Sequence, residues 1–512
     1  MIFRNKIIRD TAMLTVMQLF LDSAALLLNV FITRSLGTSA IGILSLTGSF
    51  LVLAGTISNG NAFLCTSRLI SEELGKPQKN PNRVLLNGLL LCLILSTVTS
   101  LILLGFSDVI GGRFFSSSEM SIAVRLMPLA LIPGAFSACF KGYFNAFRKS
   151  SVTAAGDILE FIVKAATIMI LTLTAEHPSD GSVCRILISG IIAGNMFSLV
   201  FFLIMFARSH QKYSGRSTLS FRRYVTYALP IMAGGIITSA LSSTNDALIP
   251  YTLRQYGDSV SEALSRFGIF EAIVIPTLFF PSVVLCSMSG IIVSETARAS
   301  GSGNRERIRY IAERLITCTL IFAVFAAAVL MKFGSEIGQI LGGGELAGRM
   351  ISIISPVIPF IYLEIILEAM IKGMGLQGFS SLNYLAEYAV RISVVLIFVP
   401  IFGFYGIVAS YYASNIIGNC SRLFKAVRCT GIKLSLIKTV VMPVCYAFLT
   451  MGAAELLIRL VGADGRSIVE IVIFTLLWAA GYFAIFSFFS PFRQETANSK
   501  ENSRQLFVKN AQ

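Results

Sequence analysis

PIMAGGIITSALSSTNDALIPYTLRQYG, residues 230–257, and FGIFEAIVIPTLFFPSVVLCSMSGIIVSE, residues 267–295, decide the fold. Each is apolar and long enough to cross a bilayer, which takes roughly 20 apolar residues. Neither reads as an inert anchor, because Asp246, Glu271, Pro250, Pro276 and Pro281 stand at membrane depth, where charge is costly and helix-breaking residues need compensation. The pair also has an earlier counterpart between Asp10 and Glu72. There Arg34-Ser35-Leu36-Gly37 matches Arg254-Gln255-Tyr256-Gly257, and Ile70-Ser71-Glu72 matches Val293-Ser294-Glu295. Further on, Pro128 precedes Lys141-Gly142 by the same interval at which Pro359 precedes Lys372-Gly373. A duplicated half is the economical explanation.

Composition extends the membrane reading to the whole chain. Of 512 residues, 55% are hydrophobic and 13% charged, and the mean hydropathy is +0.76. Those values describe an all-α polytopic membrane protein with no sizeable soluble domain. Segmentation by apolar runs predicts about fourteen transmembrane helices. Six fall in each copy of the repeat, giving an N-terminal six-helix bundle over 1–206 and a C-terminal six-helix bundle over 224–430. A basic linker over 207–223 joins them, and an extra helix pair over 431–491 and a polar tail over 492–512 follow. An even number of spans per copy orients both copies alike, so the repeat is parallel and its axis lies along the membrane normal.

The net charge of +15 raises the question of nucleic acid, but the basic residues are placed for a membrane. On the side that holds both termini and the linker, Lys and Arg outnumber those on the other side roughly threefold, which puts both termini in the cytoplasm. The basic loops suit membrane lipid of anionic headgroup, and no nucleic-acid partner is needed. MIFRNKIIRD leads into an apolar run too long for a signal-peptide core and reads as the start of the first span. Most of the nine cysteines fall in or at spans and none forms a Cys-x-x-Cys pair, while His177 and His210 are the only histidines. No metal site is expected, and no cofactor. Gly342-Gly343-Gly344 lacks the Lys-Ser/Thr of a phosphate loop. With no acid/base constellation in its short loops, the chain does not read as an enzyme.

Charged and amide residues inside spans are the informative ones, since each should face protein or water rather than lipid. Candidate cavity residues are Asp22, Asn29 and Arg34 in or at span 1, and Asn59 and Asn61 in span 2, where GTISNGN should loosen the helix. Asn245, Asp246, Arg254 and Glu271 are the candidates in spans 7 and 8. Three stripes set opposite charges on one helix face: Asp157, Glu160 and Lys164; Glu364, Glu368 and Lys372; and Glu387 with Arg391. These stripes read equally as functional groups or as ion pairs that hold bundles together. Pro128, Pro133, Pro276, Pro281, Pro356 and Pro359 should kink spans 4, 8 and 10. Asp22 and Asp246, each without an opposite charge nearby in its own span, are expected to line the cleft between the bundles.

At these residues the chain resembles a known family. FITRSLGTSAIGILSL (31–46), CTSRLISEELGK (65–76), NDALIPYTLRQYG (245–257) and FFPSVVLCSMSGIIVSE (279–295) are similar to polysaccharide-biosynthesis flippases of the stage V sporulation protein B type. These belong to the multidrug/oligosaccharidyl-lipid/polysaccharide exporter (MOP) superfamily. The resemblance implies two six-helix bundles around a central cavity, open alternately to either side of the cytoplasmic membrane, that moves polyprenyl-pyrophosphate-linked saccharide. A monomer would suffice. A coupling ion, H+ or Na+, would act without any resident cofactor. The alternative in the same superfamily is a drug/cation antiporter of the MATE type, to which an acid in span 1, Asp22, would point.

Overall fold

The computed structural model describes residues 2–75, 80–114, 120–175, 180–209, 220–302, 304–432, 434–460 and 468–488. Most of the linker expected over 207–223 and the whole tail over 492–512 lie outside the described residues. Among the described residues there is no strand. The helices are α1 (Ile2–Leu36), α2 (Thr38–Asn59), α3 (Ala62–Leu74), α4 (Pro81–Gly105), α5 (Ser107–Phe114), α6 (Met120–Ala146), α7 (Ser150–Thr174), α8 (Asp180–Ser209), α9 (Phe221–Tyr256), α10 (Val260–Ile269), α11 (Ile275–Phe279), α12 (Val283–Gly301), α13 (Arg305–Ile340), α14 (Gly344–Ile354), α15 (Ile358–Gly373), α16 (Gln377–Phe402), α17 (Phe404–Thr430), α18 (Met442–Leu460) and α19 (Ile468–Phe488).

Twelve stretches of the described residues are long and apolar enough to cross a membrane, which makes this a multi-pass membrane protein. The expected number was about fourteen. The two expected spans not among the twelve are α7 and α17, which have the length, 25 and 27 residues, but carry several charged residues each. Asp157, Glu160 and Lys164 dilute α7, and Arg422, Lys425 and Arg428 dilute α17.

Local sequence explains where spans break. Span 2 interrupts at Gly60 and Asn61, both left-handed with φ of 54° and 55°, and the side chain of Asn59 accepts from the Asn61 N–H at 2.8 Å before α3 resumes. Such φ values favour Gly and Asn over other residues. In span 8, α10 passes into a π turn over Phe270–Val274, then α11, then a 3₁₀ turn over Phe280–Ser282 containing Pro281. Span 10 has its 3₁₀ turn at Ser355–Val357, holding Pro356. α6 runs through Pro128 and Pro133 as one helix.

By contact density the chain forms two compact units. The first comprises Met1–Val283, Leu341–Ala347 and Tyr384–Ser414; the second comprises Val284–Ile340, Gly348–Asn383 and Asn415–Gln512. Within the first unit, α2 and α10 cross so closely that a methyl group on Gly42 would overlap the Leu264 carbonyl, and one on Gly268 the backbone of Gly42. Small residues permit such helix contact in membranes. In the second unit, α18 and α19 are pinned to α13. The Trp478 indole N–H donates to the Ala447 carbonyl at 3.0 Å, and the Tyr482 hydroxyl to the Ile321 carbonyl at 3.0 Å.

One packing contact occurs in both halves of the chain. A methyl on Gly142 would stand 2.7 Å from the Phe63 carbonyl oxygen and 3.1 Å from Thr66 Cβ; one on Gly373 would stand 2.7 Å from the Val293 carbonyl oxygen and 2.8 Å from Thr296 Cβ. This contact pairs Phe63 with Val293 and Thr66 with Thr296. It differs from the register read from sequence, which set Ile70 against Val293. Span 8, at 42 residues over Val260–Gly301, is longer than span 2, at 37 over Thr38–Leu74, and accommodates the shift.

Candidate functional site

The site is built on α9, which starts at Ser220, whose side chain accepts from the Arg223 N–H at 3.3 Å. α9 runs antiparallel along span 2, and its polar contacts recur about every two turns, so they form one seam on one face. Tyr224 OH and Thr66 Oγ1 meet at 2.8 Å, the Asn61 amide donates to the Ile231 carbonyl at 3.1 Å, and Thr56 and Ser239 hydroxyls meet at 3.0 Å. Next, Ser243 donates to the Ser49 carbonyl at 2.8 Å, and Ser49 donates to Asp246 Oδ2 at 2.6 Å. Asp246 is 8% exposed and also accepts from the Asn245 amide at 3.2 Å. The other side-chain atom of Asn245, Oδ1, is buried with no hydrogen-bond partner among the described residues.

Around Asp246 stand three further elements of the same unit. Glu271 lies on the π turn, whose Ala272 carbonyl accepts from the Asn29 amide of α1 at 2.9 Å. A π turn re-aims the side chains that follow it, and such turns are frequent at functional sites. Phe270 of the same turn meets Tyr411 of α17 edge-on at 5.1 Å. On α16, Arg391 donates from Nε to Ser414 Oγ at 3.0 Å and pairs with Glu387 at 3.4 Å. Its guanidinium lies 4.5 Å from the Tyr411 ring centroid and 5.2 Å from that of Tyr388. Asp246 and Glu271 both lie within its electrostatic reach. Three carboxyl groups thus gather near one guanidinium, with hydroxyls and amides beside them. Such a group can hold a proton or a cation, or hydrogen-bond the hydroxyls of a sugar.

The structure distributes the sequence candidates unevenly. It brings together Asn29, Asn245, Asp246, Glu271, Glu387 and Arg391. Asn59 and Asn61 shape the break in span 2. Arg34 and Arg254 are exposed in the last turns of α1 and α9. Asp22 accepts from Gln18 one turn earlier at 2.8 Å, a neutral local partner that a search for opposite charges passes over.

The charge stripes resolve in three ways. Glu387 pairs with Arg391 and Glu368 with Lys372, at 3.2 Å for the latter, within their own helices as expected. Asp157 and Glu160 turn to Lys141 of α6, at 2.6 and 3.0 Å, and not to Lys164. Glu364 and Glu368 both reach Arg422 of α17, at 3.1 and 3.4 Å. Sequence reasoning left Ser49, Ser243, Tyr411, Lys141 and Arg422 out of the site and stripe readings. Only the last two carried a signal, as charges inside or beside apolar helices.

The architecture places the chain in a class of multi-pass helical membrane proteins that shares its fold with solved structures. It superposes on the lipid II flippase MurJ in an inward closed conformation with a TM-score of 0.70 at 15% identity, over 93% of this chain and 98% of that one. An inward-facing multidrug resistance MATE family transporter of the MOP superfamily gives 0.64 at 15% identity, over 81% and 95%. In sequence, residues 7–256 match the family described as polysaccharide biosynthesis protein. Stage V sporulation protein B of Bacillus subtilis (strain 168) is 20% identical over 381 residues, 72% of this chain and 73% of that protein. The family match covers residues 7–256 of the 512, and the superpositions show a shared fold.

Proposed function

We propose that the protein flips lipid-linked oligosaccharide or polysaccharide precursors across the cytoplasmic membrane by alternating access, with both termini and the 207–223 linker in the cytoplasm. One observation carries this reading: the two units offer complementary chemistries. The first holds the carboxyl, hydroxyl and amide groups around Asp246, suited to a sugar headgroup. The second holds an apolar groove of about 670 Å3 among α13, α15 and α18, with Phe360, Phe448 and Trp478 in its lining. A polyprenyl tail needs such a surface, and its saccharide does not. The names of the similar proteins, a sporulation protein and a lipid II flippase, point the same way. The extra pair α18 and α19, to which the sequence assigns no role, supplies much of that groove.

Transport requires no bond to be made or broken in the cargo. The carboxyl cluster is suited to a coupling H+ or Na+, which would drive the conformational cycle through its different affinity for the two states. The test uses full-length protein in liposomes carrying a fluorescent polyprenyl-pyrophosphate-linked saccharide, with headgroup exposure read by an impermeant quencher. Protein-dependent exposure of headgroups from the inner leaflet is the expected result. No such exposure, together with ion-driven efflux of a cationic drug from cells, would replace this reading with the antiporter.

A further inference from the structure

A second polar site lies inside the first unit, on the stretch of α2 that also carries Thr56 of the α9 seam. A cavity of about 520 Å3 opens among α2, α6, α7 and α8. That is within the range of small-ligand pockets, about 300–1,000 Å3. Its lining holds two ammonium groups, Lys141 and Lys164, and one carboxylate, Glu160, which Lys141 pairs at 3.0 Å. Lys164, one turn beyond Glu160 on α7, lines the cavity with its ammonium 5.3 Å from the Phe161 ring centroid. Both carboxylates of that helix, Asp157 and Glu160, are taken by Lys141, and Lys164 makes no ion pair among the described residues.

Three more donors lie in the lining. Ser58 and Ser137 are 1% and 3% exposed, and their hydroxyls are buried without a partner among the described residues. Some serines and threonines of the described helices bond back to a carbonyl one turn earlier, as Ser23 of α1 and Thr99 of α4 do; Ser58 and Ser137 do not. The Asn59 amide nitrogen makes no hydrogen bond among the described residues, its side-chain oxygen being held by the Asn61 N–H. Two buried hydroxyls without a partner, in one cavity with a half-buried amide and a half-buried ammonium, are costly unless an acceptor fills the space.

We propose that this cavity binds an oxyanion, a phosphate or carboxylate group, on Lys164, with the Ser58 and Ser137 hydroxyls and the Asn59 amide completing its hydrogen bonds. The site is distinct from the acid-rich Asp246 cluster, which would repel such a group. It does not depend on which molecule the protein moves. The oxyanion can come from the headgroup of a lipid or from a free ion.

The test measures ligand-induced thermal shift on full-length protein in detergent, at constant ionic strength balanced with chloride. One arm titrates inorganic phosphate and the other a polyprenyl phosphate. Wild-type protein should melt higher with at least one ligand: with phosphate if the free ion is the occupant, with the lipid alone if the headgroup is. Lys164→Met should weaken that ligand about tenfold or more, and Ser58→Ala/Ser137→Ala less so. Lys164→Arg should retain part of it. The double serine variant provides the readout if Lys164→Met does not yield folded protein. No shift with either ligand, or equal shifts in wild type and the variants, overturns the proposal, whether or not the protein flips lipid.

Discussion

Arg391 and Arg422 are two arginines set in helices of the same membrane protein, and they are housed very differently. Arg422 is 1% exposed and gathers Glu364, Glu368 and the Asn419 side-chain oxygen, the last at 3.3 Å. Glu368 is further tied to Lys372 and to the Ser380 hydroxyl. Every strong group there is answered by another of the second unit. Arg391 is 12% exposed and meets the Glu387 carboxylate, the Ser414 hydroxyl and the faces of Tyr388 and Tyr411, with Asp246 and Glu271 within its electrostatic reach. The first arrangement is a clamp between α15 and α17. The second leaves two acids able to change partner, which a transport cycle requires and a clamp does not.

The contrast can be broken by substitution. Arg422→Met should cost the most stability, about 3–5 kcal/mol, because it strands two carboxylates in a membrane helix bundle. A loss of that size is visible as a collapse of the melting temperature or of the monodisperse peak in detergent. If Arg422→Met melts like wild type, the clamp reading fails.

The lysines at matching places in the repeat grade the same effect downward. Lys141, with a side chain 21% exposed, holds two acids of α7. Its loss in Lys141→Met should cost about 1.5–3 kcal/mol, the range for hydrogen bonds to charged groups. Lys372 is 50% exposed and meets one acid that Arg422 already holds. Lys372→Met should therefore cost less than about 1 kcal/mol. Equal melting temperatures for the two lysine variants would show that burial does not set the difference.

Much of this was legible in the sequence, and the limits have physical causes. Membrane class and most spans follow from hydropathy alone. The pairs Glu387 with Arg391 and Glu368 with Lys372 follow from helical spacing, since each lies within one helix. The partners of Asp157 and Glu364 were not legible, because Lys141 and Arg422 come from other helices and sequence spacing carries no information about which faces meet. Ser49 was invisible for another reason: a serine in an apolar run has no distinguishing chemistry until Asp246 is set beside it. Span 2 was expected to loosen at Gly60 and Asn61, and there the left-handed backbone gave the residues away. The Gly142 and Gly373 contacts set Phe63 against Val293, a pairing that the matching Ile-Ser-Glu and Val-Ser-Glu letters do not show.

The central claim is that the Asp246 cluster serves transport while the ion pairs around Lys141 and Arg422 serve the fold. The most direct test is the initial rate of saccharide-headgroup translocation by Asp246→Asn in proteoliposomes, at equal amounts of folded protein. Asparagine preserves shape and can still meet Ser49, so the melting temperature should stay near that of wild type. The rate should fall about tenfold or more, which corresponds to about 1.4 kcal/mol. Translocation at the wild-type rate, or a rate lost only because the variant no longer folds, would contradict the account.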